Sequence, residues 1–259
     1  MLQVQDISVT FNPGTEGEMV LYQGLNILIN EGEFVTIIGS NGSGKSTLLN
    51  MVCGQVKPDL GIISFEGENI LNKKDYKRFS NISRVYQDPM SGTSPTLTVA
   101  ENLSLALNKR KLFNFKKALN KADYLMFAEK LKSLNMGLEN KLDVKVGQLS
   151  GGQRQALSLL MSLMNNPKLL LLDEHTAALD PKSSEAIMAL TDKLVKESNI
   201  TTVMVTHNLQ HALDYGDRLL MFHGGKIIVD IKKNEKKKLV RQDLVDLFRL
   251  HDDYFIEAI

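Results

Sequence analysis

The sequence has no tryptophan, a single cysteine and almost no net charge. Cys53 has no second cysteine to pair with, which excludes an internal disulfide and favours a reducing compartment. The 31 Lys and Arg residues nearly balance the 30 Asp and Glu residues, so no overall field draws the chain to nucleic acid. No segment approaches the ~20 consecutive apolar residues that span a bilayer. We therefore expect no nucleic-acid partner, and any role at a membrane must depend on other chains.

What the sequence does contain is enough apolar residue content for a large core, at 43% of 259 residues. Four short runs are apolar on both faces, as in covered parallel sheets: residues 34–38, 83–86, 169–172 and 202–205. The first thirty residues, with residues 62–65 and 219–229, have the turn-bounded pattern of antiparallel hairpins, and we expect them to form a side sheet. The pattern predicts an α/β fold with a mainly parallel sheet flanked by helices and an N-terminal antiparallel β subdomain.

An inserted helical lobe is predicted between the second and third apolar runs. Its apolar residues recur at helical spacing: Val99, Leu103, Leu107, Leu125, Leu131 and Leu134. Thr98 and Glu101 form a capping box, so the first helix should start at Val99, and Ser150 with Gln153 forms a second box after the lobe. We expect one domain, with a core of residues 1–92 and 149–230, the lobe at 93–148 and a tail at 231–259. The tail should contain a solvated lysine-rich turn and an amphipathic helix over residues 239–250.

A glycine-rich loop follows the first buried run and opens a predicted helix over residues 45–53. Residues 39–47 read GSNGSGKST and fill every position of the phosphate-loop pattern GxxxxGKS. Lys45 can reach the terminal phosphates of a nucleotide, and the Ser46 hydroxyl can bind Mg²⁺. The predicted phosphate-binding residues are Ser40, Asn41, Gly42, Ser43, Gly44, Lys45, Ser46 and Thr47. The loop therefore predicts a site for ATP with Mg²⁺.

An acidic pair follows the leucine run at residues 169–172. The run delivers Asp173 and Glu174 to a strand end, which is where ligands collect in open α/β sheets. Asp173 is expected to hold the magnesium ion that bridges phosphate oxygens, and Glu174 to orient or deprotonate the attacking water. The sequence thus predicts hydrolysis of the bound nucleotide.

The pentapeptide LSGGQ at residues 149–153 lies upstream of that strand. Together with the phosphate loop and the LLLLDE strand, it resembles the ATPase cassette of ABC proteins, over residues 2–229. Ser150 caps a helix whose positive end can face an anion. The resemblance implies that Ser150, Gly151, Gly152 and Gln153 contact ATP bound to a second ATPase subunit, so that the competent unit is a dimer.

Further site residues are implied by the resemblance. Gln87, at the end of the second predicted strand, matches the glutamine that senses magnesium and water. His207 resembles the switch histidine that contacts the γ-phosphate, and Asp180 resembles the residue that crosses to the partner subunit. Phe11 matches the aromatic residue that packs on adenine, although it could equally be strand core, with Tyr22 nearby as the alternative.

One position departs from the family pattern, because His175 stands where proline most often follows the catalytic glutamate. The segment DEHTAALDP resembles a branch of cassette ATPases that serve bacterial uptake systems, some of them associated with aromatic amino acids or related small solutes, which implies uptake of a small solute such as an amino acid. The expected function is the ATP-hydrolysing subunit of an ABC importer at the cytoplasmic face of the membrane, with separate permease subunits, a second ATPase subunit and an extracytoplasmic solute-binding protein. Alternatives are an exporter subunit, a soluble mechanical ATPase or an ATP-binding regulator without turnover.

Overall fold

A computed structural model of the chain describes residues 1–108 and 119–251. The chain forms two compact units, residues 1–79 together with 199–259, and residues 80–198. The strands are β1 Leu2–Phe11, β2 Met19–Ile29, β3 Phe34–Gly39, β4 Leu60–Phe65, β5 Glu68–Asn69, β6 Ile82–Val85, β7 Leu169–Asp173, β8 Thr201–Val205, β9 Arg218–His223 and β10 Lys226–Lys232. The helices are α1 Lys45–Cys53, α2 Asp75–Arg78, α3 Val99–Asn108, α4 Lys121–Lys132, α5 Gly151–Leu163, α6 Pro181–Ser198, α7 Leu209–Asp214, α8 Lys233–Lys236 and α9 Arg241–His251. None of the helices in the described part of the chain has the length and apolarity to cross a membrane.

The first unit contains two groups of strands. One is an antiparallel sheet with the order β2-β1-β4-β5, as predicted for the N-terminal subdomain. In the other, β3 lies between β8 and β9 and runs parallel to both, while β10 pairs antiparallel with β9. Since β3 is buried from Phe34 to Ile38 and has parallel partners on both sides, it is the covered parallel strand that the continuous apolar run predicted.

The assignment of residues 219–229 to the side sheet was wrong. These residues do form the antiparallel hairpin of β9 and β10, but β9 pairs in parallel with β3 instead of joining the N-terminal sheet. Leu219, Leu220, Met221 and Phe222 are fully buried, so both faces of β9 are covered. Hairpin patterning cannot show which sheet a hairpin joins, because that choice depends on long-range pairing.

The second unit contains the parallel pair β6 and β7, in the register Ile82↔Leu169 to Val85↔Leu172. The helices α3, α4, α5 and α6 complete it. The helix α3 begins at Val99 as predicted, because Glu101 Oε2 accepts from the Thr98 amide at 2.7 Å and the Glu101 amide donates to Thr98 Oγ1 at 3.2 Å. Both bonds of the capping box are therefore present.

The C-terminal segment packs onto the core of the first unit. Leu244 of α9 is buried in a cluster with Ile38, Ala212, Leu219 and Met221. The amphipathic helix starts at Arg241, two residues later than predicted. The last part of the predicted tail, residues 252–259, lies outside the described residues.

Lys236 corrects the prediction that the lysine-rich segment is a solvated turn. Its side chain is buried, and its ammonium group donates to the carbonyls of Tyr215 and of Gly216, the latter at 3.1 Å, and to Thr36 Oγ1 at 3.4 Å. Burial lowers the pKa of Lys236 to about 8, against an opposing effect of the nearby Asp217 carboxylate. The neighbouring lysines 232, 233, 237 and 238 are exposed. Of these, Lys233 pairs with Asp217 at 2.5 Å, so a buried lysine and an exposed ion pair both hold the segment against the fold.

Candidate ATP-binding and hydrolysis site

The predicted site residues fall into two groups along the chain. Those in the first unit are Phe11, the loop residues Ser40, Asn41, Gly42, Ser43, Gly44, Lys45, Ser46 and Thr47, and His207. Those in the second unit are Gln87, Ser150, Gly151, Gly152, Gln153, Asp173, Glu174 and Asp180. Each group has its own local geometry and its own chemistry.

The phosphate loop connects β3 to α1, and glycine is required at both of its ends. A Cβ on Gly39 would lie 2.2 Å from the carbonyl oxygen of Phe222, and φ is +155° there. Gly44 has φ +106°, and a Cβ there would lie 2.4 Å from the Tyr22 hydroxyl. Only glycine combines these dihedral angles with such close packing, so the two glycines fix the course of the loop.

Tyr22 packs against the backbone of the phosphate loop at Gly44. Its hydroxyl donates to the Gly44 carbonyl at 2.5 Å, its ring is fully buried, and burial raises the pKa of the phenol. A buried ring that packs against the loop backbone cannot stack on a base. This removes Tyr22 as the alternative to Phe11, which ends β1 and is partly exposed. The adenine contact of Phe11 stays a prediction.

Lys45 lies along the inside of the loop. Its ammonium group donates to the carbonyls of Gly39 and Ser40, both at 2.8 Å, and the side chain is buried. Ser46 is exposed on the first turn of α1, and so are Asn41 and Gly42 in the loop. The loop therefore carries a positive charge and a hydroxyl at the start of a helix.

The start of α1 fits a phosphate group. Among the described residues, no side chain caps this helix, whereas Asn120, Ser150 and Asn208 cap α4, α5 and α7. The first amides of a helix need acceptors, and the helix dipole favours an anion at this end. Together with Lys45, the helix start has the donors that a nucleotide phosphate requires.

The acidic strand end lies in the second unit. Asp173 is the last residue of β7, and its Oδ2 is 2.5 Å from Nη2 of Arg84 on the neighbouring strand β6. Their side chains are only 14% and 5% exposed. Glu174 follows with φ +46°, a left-handed conformation that is uncommon for a residue with a side chain. The strand thus ends at Asp173, and the backbone turns at Glu174.

His175 anchors the turn that begins at Glu174. The imidazole is buried, and its Nε2 lies 3.2 Å from Oγ1 of Thr191 on α6. The Thr191 hydroxyl lies 2.8 Å from the Ile187 carbonyl, which can only accept. Since that bond uses the hydroxyl proton, Nε2–H is the donor to Thr191. This hydrogen bond to α6 is made at the position where the resemblance to ABC cassettes implies a proline.

Gln87 and His207 lie just beyond strand ends. The strand β6 ends at Val85, two residues earlier than the sequence suggested, and Gln87 is exposed in the following bend. Likewise β8 ends at Val205, and the exposed His207 lies between it and the Asn208 cap of α7. The exposure of both side chains leaves them accessible to a ligand, as their predicted roles require.

The signature segment forms the start of α5. The Gln153 amide donates to Ser150 Oγ, and Gln153 Oε1 accepts from the Ser150 amide, both at 3.3 Å. In the side chain of Gln153, Oε1 also accepts from the Lys141 ammonium group, and Nε2 donates to the Met136 carbonyl, each at 3.0 Å. The Gln153 side chain is thus used to build the helix start.

The two glycines of the signature have different surroundings. Gly151 is exposed next to the exposed Ser150. Gly152 is buried, and a Cβ there would lie 3.3 Å from Ser183 of α6. The lack of a side chain at Gly152 therefore serves close packing within this chain. Ser150 and Gly151 are the part of the signature that faces outward.

Asp180 precedes α6 and is exposed. Its Oδ1 accepts from the Ser183 amide at 3.0 Å, and hydrogen bonds from Ser183 lower the pKa of the carboxyl group. The carboxylate therefore stabilises the start of α6. Pro181 is the first residue of α6, a position that proline favours because its fixed φ suits the first helical turn.

Two supporting residues were missed by sequence reasoning. Arg84 has a signal in the sequence, since it is a lone charge between the apolar residues of a buried strand. Tyr22 was considered only as a base-stacking residue, and its packing against Gly44 depends on contacts between distant segments. The pairing of these segments is not readable from local pattern.

The residues fit ATP and Mg²⁺ in their chemistry. Lys45 and the α1 amides suit phosphate oxygens. Ser46, Gln87 and Asp173 offer hydroxyl, amide and carboxylate oxygens, the ligand types that magnesium prefers.

Comparisons with known proteins agree with this chemistry. The chain matches the family model described as ABC transporter over residues 22–177. It is 52% identical over 253 residues to a tyrosine transport ATP-binding protein of Clostridioides difficile, a match covering 96% of this chain and 98% of the relative. It is 36% identical over 229 residues to a spermidine/putrescine import ATP-binding protein of Fusobacterium nucleatum, covering 88% of this chain and 57% of that relative.

A solved structure gives the same result for the fold. It is a dimeric ATP-binding cassette in a post-hydrolysis state, bound to ADP and Pi, with a TM-score of 0.76 and 32% sequence identity. The match covers 90% of this chain and 99% of that chain. A P-loop cassette fold, a phosphate loop, an acidic strand end and a signature helix are thus found together with extensive sequence identity. The chain therefore belongs to the ABC transporter family, as an ATP-binding subunit that hydrolyses ATP with Mg²⁺.

Proposed function

We propose that this chain drives the uptake of a small solute, an amino acid such as tyrosine, through a separate membrane permease. The observation that carries the proposal is the 52% identity, over nearly the full length of both chains, to a tyrosine transport ATP-binding protein. The relative described as a spermidine/putrescine import protein supports uptake as the direction. The chain would work at the cytoplasmic face of the membrane, held there by the permease.

In this proposal, the phosphate loop binds the nucleotide. Lys45 turns from the Gly39 and Ser40 carbonyls to the terminal phosphates, and the α1 amides donate to phosphate oxygens. Asn41, Gly42, Ser43, Gly44 and Thr47 supply backbone or side-chain donors around them. Phe11 packs on the adenine ring. These contacts bind ATP in the ground state.

Hydrolysis is assigned to the acidic strand end and its neighbours. Glu174 accepts a proton from the attacking water, with Gln87 and His207 positioning the water and the γ-phosphate. Ser46, Gln87 and Asp173 would hold Mg²⁺, which neutralises charge on the phosphate oxygens. Because the backbone turns sharply at Glu174, its carboxylate can serve as the base while Asp173 faces the metal.

The signature segment is assigned to a second copy of the chain. The exposed Ser150 and Gly151 and the positive end of α5 would contact ATP bound by the partner, with Gly152 and Gln153 supporting that surface. Asp180 lies in the turn that would reach across. ATP then favours the closed dimer by contacts that hydrolysis removes. This cycle would switch the permease between inward-facing and outward-facing states, and an extracytoplasmic protein would deliver the solute.

The proposed base is tested by Glu174→Gln, which should lower turnover by about 10² to 10⁴ while ATP binding is retained. The matched control is Glu197→Gln, which changes an exposed glutamate of α6 and should leave turnover unchanged. Glu174→Gln should also bring the chain into a dimer on addition of ATP, measured by light scattering. A Glu174→Gln chain with full turnover would contradict the role of Glu174.

The transport role is tested by purifying the tagged Glu174→Gln chain with ATP from gently solubilised native membranes. A polytopic membrane protein in near-equal amount is expected, and a solute-binding protein alongside it would support uptake. Recovery of ribosomes, DNA or soluble proteins alone would favour a mechanical ATPase instead. Uptake of radiolabelled tyrosine should be lost in cells whose only copy is Glu174→Gln. Normal tyrosine uptake, with loss of uptake of another amino acid, would correct the solute.

A further inference from the structure

The proposed magnesium carboxylate, Asp173, is held by an arginine from the neighbouring strand. In the parallel pair of β6 and β7, Arg84 lies opposite Leu171, so Asp173 is two residues further toward the carboxyl end on the same face. A long side chain covers that distance, and Nη2 of Arg84 lies 2.5 Å from Oδ2 of Asp173. The strand register therefore places the arginine at the carboxylate.

The pair is largely removed from water. The two side chains are 5% and 14% exposed, and the guanidinium carbon of Arg84 also lies 4.8 Å from the ring centre of Tyr86. Charges interact more strongly where water is excluded, and a guanidinium stays protonated at any physiological pH. Arg84 is thus a permanent positive charge in contact with the group assigned to the metal.

A lone divalent cation and Arg84 must compete for the same carboxylate. The cation would approach Asp173 against the like charge of the guanidinium, and the contact at Oδ2 would have to be shared or broken. The complex of ATP with magnesium carries a net negative charge and is instead attracted by Arg84. The arginine therefore acts differently on the free ion and on the ion that arrives with nucleotide.

We infer that Arg84 is a specificity-determining residue that weakens the binding of free divalent cations to Asp173 and so favours the metal–nucleotide complex at this carboxylate. The inference rests on the proposed role of Asp173. Arg84 acts through Asp173 and is a positioning residue, not a catalytic one. Arg84 should therefore lower the affinity of the nucleotide-free chain for a metal ion, an effect that can be measured without ATP hydrolysis.

The test measures Mn²⁺ binding to the full-length, nucleotide-free chain by electron paramagnetic resonance. Arg84→Met should bind Mn²⁺ about tenfold more tightly than wild type, because a neighbouring positive charge has been removed. Arg84→Gln, which keeps a hydrogen-bond donor, should show the same direction and serves if the methionine variant does not fold. Arg84→Lys keeps the charge and should stay close to wild type.

A surface control separates the local effect from net charge. Arg249→Met removes an exposed arginine of α9 that pairs with Asp246, and Mn²⁺ affinity should not change. Adding Asp173→Asn to Arg84→Met should abolish the gain. Wild-type Mn²⁺ affinity in folded Arg84→Met and Arg84→Gln would overturn the inference.

The role of Asp173 itself is measured separately, through the factor by which Mg²⁺ strengthens ATP binding. Asp173→Asn should reduce this factor. If it does, and the Arg84 variants bind Mn²⁺ like wild type, the inference about Arg84 fails alone. If Asp173→Asn leaves the factor unchanged, the proposed metal role of Asp173 fails, and the inference fails with it.

Discussion

Replacing Lys236 by methionine should change how the stability of the chain depends on pH. The ammonium group of Lys236 is buried and donates to the carbonyls of Tyr215 and Gly216 and to Thr36. Burial lowers its pKa from the ordinary value of 10.5 to about 8. Methionine has a similar unbranched shape and no charge, so it removes the titration while largely filling the same space.

The sign follows from the protons bound by each state. Below pH 8 both the folded and the unfolded chain carry the charged lysine, and the folded chain bears the whole cost of burying it. Between pH 8 and 10.5 the unfolded chain binds a proton that the folded chain does not, so stability rises with pH. A difference of one in pKa corresponds to about 1.4 kcal/mol. Across this pH range, the free energy of unfolding of the wild type should therefore rise by up to about 3 kcal/mol relative to that of Lys236→Met.

The assay is urea unfolding followed by far-ultraviolet circular dichroism, since the chain has no tryptophan. Both chains are measured at intervals from pH 7 to 10, and the difference between them cancels the titration of other groups. Lys237→Met is the matched control, because it removes an exposed lysine beside Lys236, and only a pH dependence that this control does not share is assigned to the burial of Lys236. A flat difference for Lys236→Met would refute the assignment of a lowered pKa to a buried lysine.

Two hydrogen bonds at the site give further predictions. Tyr22→Phe removes the bond to Gly44, whose carbonyl still accepts from the Leu48 amide at 2.9 Å, so unfolding free energy should fall by only about 1 kcal/mol. Calorimetric titration with ATP should show a loss in affinity of no more than about fivefold, and a loss of all binding would contradict a supporting role. Thr191→Val removes the bond to His175 and should lower the free energy of unfolding by about 1 to 3 kcal/mol. Amide hydrogen exchange in the turn after Glu174 should become faster. Unchanged urea midpoint and unchanged exchange would show that this bond does not anchor the turn.

The sequence predicted most of the elements that carry the site. The phosphate loop and helix α1 were placed correctly, because the glycine spacing and the β-branched run before it act locally. The starts of α3 and α5 were also predicted, since a capping box is a local arrangement of four residues. The order of apolar strands and the family motifs were sufficient for the fold class.

The tertiary structure decided the features that depend on pairing between distant segments. The hairpin of β9 and β10 belongs to the sheet that contains β3, because β9 pairs in parallel with β3. No local sequence pattern specifies this pairing. Tyr22 became a support of the phosphate loop, and Gly152 became a packing residue against Ser183, through contacts across the fold. Burial of Lys236 likewise needed acceptors from the segments at Thr36 and Tyr215.

The sequence by itself thus determined which chemical groups the protein has and the local geometry around them. Short motifs are sufficient to specify loops, helix caps and strand ends. Only the tertiary structure decided which of those groups meet. The pairing of β6 with β7 placed Arg84 on Asp173, and the packing of α6 gave His175 its partner Thr191. The physical reason is that strand register and helix packing are set by the burial of whole faces, which sums over residues far apart in the chain.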